Sequence, residues 1–468
     1  MKKKTISLLL VLAMSLSLAA CDSKPKSEHK HDSKDRETTK AEESEVSETV
    51  SVPEETELSD TSAKPQKPET SETVSEPAPT DETSVYEPER YETDALTWDF
   101  DEASGTLYIH GEGPMRSYDS AVPDWEQYKD QILTVSLDDG ITSVGAYAFY
   151  NYFYLEEVYL PDSVEAIDIS AFDYDWGLKT ITVPASLKYV GSRAFYNTLL
   201  WEPSDLVFPE GCEYIGDEAF HSALKSGGVV SLPSTLKYLG EKAFTNAFIS
   251  DFIVASDNEF YCSENHAIYT KDMKEIRMIA PDAEYTGEFI VPDGVEKISA
   301  ECFNVIQGIE TIYIPASVTD IAEGAFFSDF DLKEIIVDEA NNNYKSENGL
   351  LLSNDGKLLL AWPDGIETSE LIIPEGVERI GEYLFYGRTD VSYSIVLPES
   401  VKEIGTMSLP ASISSLTLPV SLEKIDAYVF YNGIYVETIY YNGTEDDWNN
   451  IIVEDGNSAL DNIVISMN

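Results

Sequence analysis

Aromatic side chains that carry a polar atom are concentrated at one kind of position in this sequence, within the five residues after a recurring Phe. They are Tyr150, Tyr152, Tyr154, Tyr174, Trp176, Tyr196, Tyr386 and Tyr431. Tyr and Trp combine a large contact area with a polar tip, which suits protein interfaces and stacking against sugar rings. We therefore expect these residues to bind a ligand. The sequence is equally compatible with their packing between neighbouring units, because amphipathic aromatic residues are intermediate in burial.

Residues that could perform catalysis do not occur in a recognised arrangement. The sequence has no G-x-S-x-G, no H-E-x-x-H, no paired C-x-x-C and no phosphate-binding Gly loop. His110, His221 and His266 are scattered along the chain, and we expect His29 and His31, in a polar stretch, to be solvated. The sequence therefore predicts a non-catalytic protein with no metal site and no cofactor.

One catalytic alternative stays open because the chain is rich in carboxylates. Two Asp or Glu side chains about 5 to 10 Å apart can hydrolyse a glycosidic bond, and the sequence does not exclude such a pair. The aromatic residues would then be sugar subsites. The alternative function is therefore a surface protein that captures or processes glycans.

A repeated unit positions these residues. Nine prolines are each followed six residues later by Ile, Val or Leu, and eleven residues later by Phe, with Leu409 as the exception. The prolines are Pro161, Pro184, Pro209, Pro233, Pro292, Pro315, Pro374, Pro398 and Pro419. A unit too small to bury its own apolar side chains must stack on its neighbours. The sequence therefore predicts a β-rich solenoid with repeats of about 23 residues.

The residues before each proline predict a short strand. The residues one and three positions before it are apolar, a spacing typical of a strand with one buried side. The residue between them is predicted to face the opposite way, as in Tyr159, Thr182, Val207, Ser231, Tyr313 and Thr417. Proline ends the strand because it cannot donate a ladder hydrogen bond. The Gly after the apolar residue at position six, as in Gly191, is predicted to permit a second bend, and Phe at position eleven to form an aromatic spine.

Two longer intervals interrupt the period. Pro233 and Pro292 are 59 residues apart, as are Pro315 and Pro374. The inserted segments align with each other over residues 260–276 and 343–359, and each contains the residues of a tight turn. We predict β-hairpin islands beside the solenoid, near residues 251–288 and 335–370. The array itself is predicted over residues 135–434, with an N-terminal cap at 96–134 and a C-terminal cap at 435–468, where Thr444 begins a short helix.

The unit resembles the BspA-like leucine-rich repeats of bacterial surface proteins, which read approximately L-x-x-I-x-I-P-x-S-V-x-x-I-G-x-x-A-F. Residues 178–195, LKTITVPASLKYVGSRAF, follow that pattern nearly position by position, and the resemblance extends from about Trp98 to the C-terminus. It implies an exported, surface-associated protein that acts in adhesion or in binding host proteins. It supplies no catalytic residues.

The N-terminus predicts export and lipid anchoring. Three lysines, an apolar run from Ile6 to Leu18 and the sequence Leu18-Ala19-Ala20-Cys21 are typical of a lipoprotein signal peptide at residues 1–20, with Cys21 as the lipidation site. The alternative is an ordinary cleaved leader followed by a coincidental Cys. Residues 21–95 are rich in Ser, Thr, Glu and Pro and are predicted to form a disordered, acidic tether. The expected location is therefore extracytoplasmic, at the cell surface, anchored to the cell membrane.

Charge limits the partners. The chain has 31 Lys and Arg against 86 Asp and Glu, a formal net charge of -55, which disfavours nucleic acid and anionic lipid headgroups. We expect membrane contact through the lipid anchor only, a monomer, and an extracellular protein or glycan as ligand. A further alternative is a structural component of a surface assembly. The cysteines beyond Cys21 are odd in number (Cys212, Cys262 and Cys302), and Cys212 and Cys302 occupy repeat-core positions, so we expect small buried side chains rather than disulfides.

Overall fold

A computed structural model describes residues 96–118, 121–200, 204–326, 331–366, 368, 370–386, 392–431, 434–463 and 465–467. The predicted signal peptide, Cys21 and the predicted tether at 21–95 lie outside the described residues. Within the described residues, no helix is both long enough and apolar enough to span a bilayer.

The first part of the array follows a short N-terminal hairpin and a 3₁₀ helix, Asp124–Gln131. Its strands are β1 (Thr97–Asp101), β2 (Thr106–His110), β3 (Gly113–Pro114), β4 (Thr134–Leu137), β5 (Ile141–Val144), β6 (Glu157–Tyr159), β7 (Ala166–Ile167), β8 (Thr180–Ile181), β9 (Tyr189–Val190), β10 (Leu206–Val207), β11 (Tyr214–Ile215), β12 (Gly228–Leu232), β13 (Tyr238–Leu239) and β14 (Ile249–Val254).

The middle part begins with the first island. Its strands are β15 (Tyr261–Glu264), β16 (Ala267–Thr270), β17 (Glu275–Ile279), β18 (Gly287–Ile290), β19 (Lys297–Ile298), β20 (Ile309–Ile314), β21 (Asp320–Ile321) and β22 (Glu334–Val337).

The last part begins with the second island and ends in a helix α1 (Glu445–Trp448), a 3₁₀ helix (Ser458–Asn462) and a final strand. Its strands are β23 (Tyr344–Glu347), β24 (Leu350–Ser353), β25 (Leu358–Ala361), β26 (Glu370–Ile372), β27 (Arg379–Ile380), β28 (Tyr393–Val396), β29 (Glu403–Ile404), β30 (Ser412–Leu418), β31 (Lys424–Ile425), β32 (Tyr435–Val436), β33 (Ile439–Tyr441), β34 (Ile452–Val453) and β35 (Ile465–Met467).

Successive coils hydrogen-bond through two parallel ladders, which confirms the predicted β-solenoid. The strand before each proline joins the first ladder, in which Val135 pairs with Val158 and Val158 with Ile181, one repeat apart. A two-residue strand later in the coil joins the second ladder, where Val190 pairs with Ile215. Since one side of each strand faces the interior, alternate residues supply the core.

The predicted aromatic spine is confirmed. Phe149, Phe172, Phe195, Phe220 and Phe244 stack with ring centroids 5.0 to 5.4 Å apart and nearly parallel planes. These rings are at most 2% exposed. Buried apolar residues form three core clusters, which cover residues 107–283, 267–361 and 350–451. Each island contributes to the clusters on both of its sides.

The glycines that follow the second-ladder strands are required for a reason other than the predicted conformational freedom. Gly191, Gly216 and Gly240 stand between a second-ladder strand and the following turn, as expected, but none of them has a positive φ value. A Cβ atom on each would lie 2.5 Å or less from backbone nitrogen of the preceding coil. Glycine is therefore required at this position by the close stacking of coils, because any side chain would collide with the neighbouring main chain.

The islands contain the predicted hairpins, but the prediction that these lie beside the solenoid is wrong. Strands β15, β16 and β17 form an antiparallel meander, and β17 then pairs in parallel with β19 in the second ladder. The second island repeats this arrangement, with β25 pairing with β27. Ala267, Ile268 and Tyr269 of β16 are fully buried, so the meander is part of the stack.

Hydroxyl groups join each island to the coil before it. The Leu239 N–H, at the end of the second ladder, donates to the Tyr261 hydroxyl (2.9 Å), and the Val254 N–H donates to the Ser263 hydroxyl (3.0 Å). In the second island, Tyr344 and Ser346 accept in the same way from Ile321 (2.9 Å) and Val337 (3.2 Å). Each of these bonds satisfies a strand N–H that has no further strand to pair with.

The two ends of the array are covered differently. At the N-terminal end, Trp98 packs edge-on against Trp125, which stacks on Phe149 at the start of the spine. At the C-terminal end, Thr444 caps α1 through a reciprocal pair of hydrogen bonds with Asp447, which confirms the helix predicted there. Both ends supply aromatic side chains to the core instead of a repeat.

Candidate ligand-binding surfaces

The aromatic residues singled out in the sequence lie on one side of the coils, here called the turn face, which comprises repeat positions nine to sixteen, counted so that the recurring Phe is at position eleven. In most of the coils described at both positions, two residues have positive φ there, at positions nine and thirteen, as in Arg193 (58°) and Asn197 (55°). Left-handed backbone costs roughly 1 kcal/mol or more for a residue other than Gly. The positive φ values were not predictable from the sequence, because residues as different as Tyr, Arg, Glu, Lys and Met occupy position nine.

Hydrogen bonds between coils offset this cost. On the turn face, the N–H groups of Arg193, Phe195 and Asn197 donate to carbonyl groups of the next coil at 2.8 to 2.9 Å. Alternate peptide groups therefore point along the stack towards the next coil, and the left-handed residues give them this orientation. The turn face is thus a third line of contact between coils.

The eight predicted ligand-binding residues differ widely in exposure. Tyr150 (38%) and Tyr154 (56%) are exposed, whereas Tyr174, Trp176 and Tyr431 are half-buried. Tyr152, Tyr196 and Tyr386 are buried, with at most 8% of each residue exposed. The alternative of packing between coils therefore applies to these three, which cannot contact a ligand in this structure.

Specific contacts account for the burial. The Tyr152 hydroxyl donates to Glu126 (2.9 Å), and its ring meets Phe149 edge-on. Tyr196 lies under the guanidinium of Arg193, 3.8 Å from its ring centre, and stacks on His221. Tyr386 lies against Tyr431, with ring centroids 6.3 Å apart. Burial raises the pKa of Tyr431 to about 12.

An aromatic ladder does run along the turn face. Tyr150 contacts Tyr174 (6.3 Å between centroids), and Tyr174 contacts Tyr196 (5.5 Å). Beside it, the exposed Phe153 (42%) packs edge-on against Trp176. Tyr150, Phe153, Tyr154, Tyr174 and Trp176 thus form a patch near the N-terminal end of the array. Phe153 was not among the predicted residues, although it lies within the same aromatic run.

Buried carboxylates support this patch from beneath. Arg193 pairs with Asp173 (3.0 Å) and with Glu218 (3.2 Å). Burial raises the pKa of Asp173 to about 6 although Arg193 opposes the rise. Burial also raises the pKa of Asp175, which accepts a hydrogen bond from the Tyr152 N–H (2.6 Å). Asp173 and Asp175 are at most 1% exposed, so they hold the turn and cannot act on a sugar.

Ser222, His221 and Glu301, on the turn face, have the residue types of a catalytic triad of nucleophile, base and acid. The Ser222 hydroxyl lies 3.2 Å from His221 Nδ1, and Glu301 lies 3.8 Å from His221 Nε2. Burial alone would raise the pKa of Glu301, but His221 and Lys242 lower it to about 2. Ser222 is only 5% exposed, and Tyr196 covers the His221 ring, so a substrate has no approach to the hydroxyl.

This group instead joins two parts of the array. Lys242 and Glu301 occupy position nine of the coils that begin at Pro233 and Pro292, and their side chains pair at 2.9 Å. Asn304 donates to Asn246 at 3.2 Å. The turn face is therefore continuous in contact across the first island, since residues 58 positions apart are neighbours in space.

Metal ligands and reactive thiols do not form a site in the part of the chain that the structure describes. No group of three or more His, Cys, Asp or Glu side chains there has the arrangement of a metal site. Cys212 and Cys302 are buried, as predicted for small core residues, whereas Cys262 is half-buried beside Met273. Burial raises the pKa of the Cys212 thiol to about 12, which makes it unreactive.

The outward side of the first ladder, here called the open face, is the second candidate surface. It presents the residue two positions before each proline, together with Ile253 and Tyr440, which lie at the same strand register. Residues of this row pair directly between coils, as in Ile290 with Tyr313. Many are large, apolar and exposed: Tyr159 (53%), Val207 (58%), Ile253 (51%), Ile290 (64%), Ile372 (71%), Val396 (59%) and Tyr440 (40%). The sequence predicted their direction but not their role, since β-branched residues are also favoured by strand geometry alone.

A groove crosses the open face where the first ladder is interrupted. Strand β8 ends one sheet and β10 begins the next, and the groove between them has a volume of about 450 Å³. Tyr159, Thr182, Val183 and Val207 are among its lining residues. The open face therefore combines a row of exposed apolar side chains with a local depression.

Comparison with known proteins identifies the repeat. The model of the BspA type leucine rich repeat region matches in six copies, over residues 142–274, 275–348 and 364–466. No curated protein matches the chain.

Solved structures of bacterial leucine-rich repeat proteins are similar over most of the chain. A leucine-rich repeat protein from Eubacterium ventriosum is 21% identical, with 78% of this chain and 92% of that chain covered and a TM-score of 0.47. A leucine rich cell surface protein from Faecalibacterium prausnitzii is 19% identical, with 79% and 99% covered and a TM-score of 0.44. The pneumococcal vaccine antigen PcpA is 17% identical, with 78% and 77% covered and a TM-score of 0.32.

Proposed function

Because the chain belongs to the family of proteins with BspA type leucine-rich repeats, we propose that it is a non-catalytic protein of the bacterial cell surface that binds a protein ligand through its open face. The role is adhesion or interaction with a host. The proposal rests on one observation, the row of exposed apolar side chains on the open face.

Exposed apolar side chains interact unfavourably with water, and a bound ligand would remove them from that contact. Ile290 is 64% and Ile372 is 71% exposed, and similar side chains recur from coil to coil. Apolar side chains aligned in this way favour association, because covering them stabilises a complex by about 25 cal/mol per Å² of apolar surface. Branched aliphatic side chains favour a protein ligand over a glycan, since sugars stack on flat aromatic rings.

The exposed aromatic residues of the turn face support a second contact region. Tyr150, Tyr154 and Trp176 remain predicted ligand contacts, with Phe153 beside them. Glycan binding remains the alternative function of this patch, because its aromatic rings are partly accessible. Hydrolysis of a panel of glycans tests the enzymatic form of that alternative: release of product supports it, and binding without product supports a lectin.

Export and anchoring belong to the same proposal. The lysines, apolar run and Leu18-Ala19-Ala20-Cys21 support lipidation at Cys21 and presentation of the array on the outer side of the membrane. Replacing Cys21 with Ala should release the protein from the membrane fraction of intact cells. Retention of the Cys21→Ala variant in that fraction would refute the anchor.

A capture experiment with the full-length protein tests the binding role. Val207, Ile253, Ile290 and Ile372 are replaced together by Ser; the control carries Ser at the exposed Val122, Leu133, Ile452 and Val453, outside the open-face row. Candidate proteins from host extracellular matrix and from the bacterium's own surface are then identified by mass spectrometry. We expect the wild type and the control to retain the same proteins and the open-face variant to lose them.

The source of the retained proteins separates adhesion from a structural role. A host protein supports adhesion, whereas a partner from the same bacterium, confirmed by cross-linking on intact cells, supports a component of a surface assembly. Equal retention by the open-face variant and the control would contradict binding through the open face.

A further inference from the structure

Carboxylates line both sides of the apolar row on the open face. On one side lie the residues four positions before the proline, and on the other the residues directly after it. The first acidic row contains Glu157, Asp205, Glu288 and Glu370, and also Asp251 and Glu334, which lie at the same register of strands that no proline follows. The second acidic row contains Asp162, Glu210, Asp293, Glu375 and Glu399. Most of these side chains are exposed, so the carboxylates border the apolar row on the surface.

Positive side chains are absent from these three rows in the described part of the repeats. The other occupants of the acidic rows are small or uncharged, such as Thr180, Ser394, Ala185 and Ser234. Lysines begin one position further out, where Lys179 and Lys333 already pair with Glu156 (2.9 Å) and Glu310 (2.7 Å). The charged side chains within the two rows that border the apolar row are therefore all acidic, and His266 contacts one of them, Asp251 (3.0 Å).

Two coils show the arrangement most clearly, because each is the first coil after an island. In one, Ile290 lies between Glu288 and Asp293; in the other, Ile372 lies between Glu370 and Glu375. Among the described residues, none of these four carboxylates has a hydrogen-bond or ion-pair partner. Strands β18 and β26, which carry them, each begin a sheet and pair on one side only. The two coils are 82 residues apart, so the arrangement occurs twice.

These observations indicate that a ligand of the open face is positively charged. We propose that the open face binds a cationic segment of a partner protein, whose apolar side chains cover the row and whose Lys or Arg side chains meet the two acidic rows. An acidic segment would gain the same apolar contact but would bring like charges together, and a second copy of this chain, with a net charge of -55, fails for that reason. The inference rests on the proposed binding role of the open face.

Peptides of defined charge test the proposal on the full-length protein. The probes are a peptide of alternating Lys and Val, a Glu and Val peptide of equal length, and a Lys and Ser peptide of equal charge. Binding is measured by calorimetry at about 0.15 M NaCl, where exposed charges are partly screened. We expect the Lys and Val peptide to bind at least about tenfold more tightly than either of the others.

Charge reversal locates the site. Replacing Glu288, Asp293, Glu370 and Glu375 together by Lys should weaken binding of the Lys and Val peptide at least about tenfold, since each exposed attraction becomes a repulsion. The control replaces Glu102, Asp130, Asp257 and Glu259, which are exposed elsewhere, and changes the net charge equally. We expect the control to weaken binding less than about threefold. Equal weakening by both variants would show attraction to overall charge only and would overturn the proposal.

The outcomes separate this inference from the binding role itself. If a natural ligand found by capture depends on Val207, Ile253, Ile290 and Ile372 but not on the four carboxylates, the open face binds and the inferred charge of the ligand is wrong. If neither set matters to that ligand, both proposals fail. Near-equal binding of the Glu and Val peptide would also overturn the inference.

Discussion

Single buried polar residues hold the two islands in the stack. Asn258 is 1% exposed, and its amide donates to the carbonyls of Pro233 and Leu236 (both 2.9 Å) and accepts from Phe260 and Tyr261 (both 2.8 Å). Asn341 makes the equivalent set of four bonds in the second island. No other side chain of this size offers two donors and an acceptor in this geometry.

Replacing Asn258 by Leu should lower the free energy of unfolding by about 2 to 4 kcal/mol, because buried carbonyl and N–H groups lose their partners. The matched control is Asn342→Leu, at an exposed position of the other island, which should change it by less than about 0.5 kcal/mol. Urea unfolding followed by circular dichroism gives both values. Similar values for the two variants would show that the Asn258 bonds contribute little.

Truncation should destabilise the protein much more at a buried tyrosine of the turn face than at an exposed one. Tyr152→Ser removes a core ring and the bond to Glu126, so we expect a loss of about 3 to 5 kcal/mol in the free energy of unfolding. Tyr154→Ser, at a 56% exposed position, should cost less than about 0.5 kcal/mol. Thermal unfolding distinguishes them, and a stable Tyr152→Ser protein would contradict the observed packing.

A buried lysine predicts how stability changes with pH. Lys225 lies over the Phe248 ring, 5.4 Å from its centre, and burial lowers the pKa of its amine to about 8. The folded state therefore binds this proton less tightly than the unfolded chain. The resulting destabilisation is fully present below pH 8 and disappears as the pH rises through the ordinary lysine value of 10.5.

Lys225→Met keeps the apolar stem without the charge. We expect the variant to be more stable than the wild type by roughly 1 to 3 kcal/mol at neutral pH, with the difference shrinking towards zero as the pH approaches 10.5. Urea unfolding at the two pH values measures this. If Lys225→Met raises the free energy of unfolding equally at neutral pH and at pH 10.5, the gain comes from the packing of Met and not from removal of the buried charge.

Residue-level burial was only partly predictable from sequence. The repeat register located Phe149, Phe172 and their counterparts in the core, because position eleven is apolar in every unit. It could not separate Tyr152 from Tyr154, since both belong to one aromatic run. The difference arises from contacts with Glu126 and with neighbouring coils, which depend on the left-handed residues of the turn face.

At the level of elements, each island works as an internal closure for the coils before it. Tyr261 and Ser263 lie on the same side of β15, and their hydroxyls accept from the last strands of the second and first ladders. Tyr344 and Ser346 do the same in the second island. The shared sequence Tyr-x-Ser-Glu-Asn was visible in the alignment of the islands, but its purpose required the positions of the two ladders.

Removing these hydroxyls should loosen the ladder ends. Tyr261→Phe leaves the Leu239 N–H unpaired, and Tyr344→Phe does the same to Ile321, at a cost of about 1 to 2 kcal/mol each. Hydrogen exchange should accelerate several-fold at the amide of Leu239 or Ile321 and little elsewhere. Tyr313→Phe, on the open face, serves as the control. Unchanged exchange at Leu239 in the Tyr261→Phe protein would contradict this assignment.

Hairpins were predictable because turn residues and strand residues alternate in each island. Their place in the stack was not, because the 59-residue interval suggests an insertion to one side. The structure shows that β17 and β25 continue the second ladder, while Lys242 and Glu301 close the turn face across the first island. An island thus takes the place of one coil at the first and second ladders. At the turn face, the coils on either side of the first island remain in contact.

At the level of the whole molecule, the repeat pattern was sufficient to predict the solenoid, since a unit with one apolar side must stack. The division of the core into three clusters at the islands was not predictable from the repeat alone. Nor was the choice of surface, because a strand residue such as Ile290 is favoured by the ladder whether or not a ligand covers it. Only its exposure and the surrounding carboxylates distinguish a binding surface.

The most direct test of the account is carboxylate footprinting of the full-length protein with and without its captured ligand. Carbodiimide labelling is measured by mass spectrometry at Glu288, Asp293, Glu370 and Glu375, with Asp257 and Glu259 as internal references. We predict that ligand protects the first four and leaves the references unchanged. Protection confined to the turn face, around Tyr150 and Trp176, with the four carboxylates labelled equally in both states, would contradict binding through the open face.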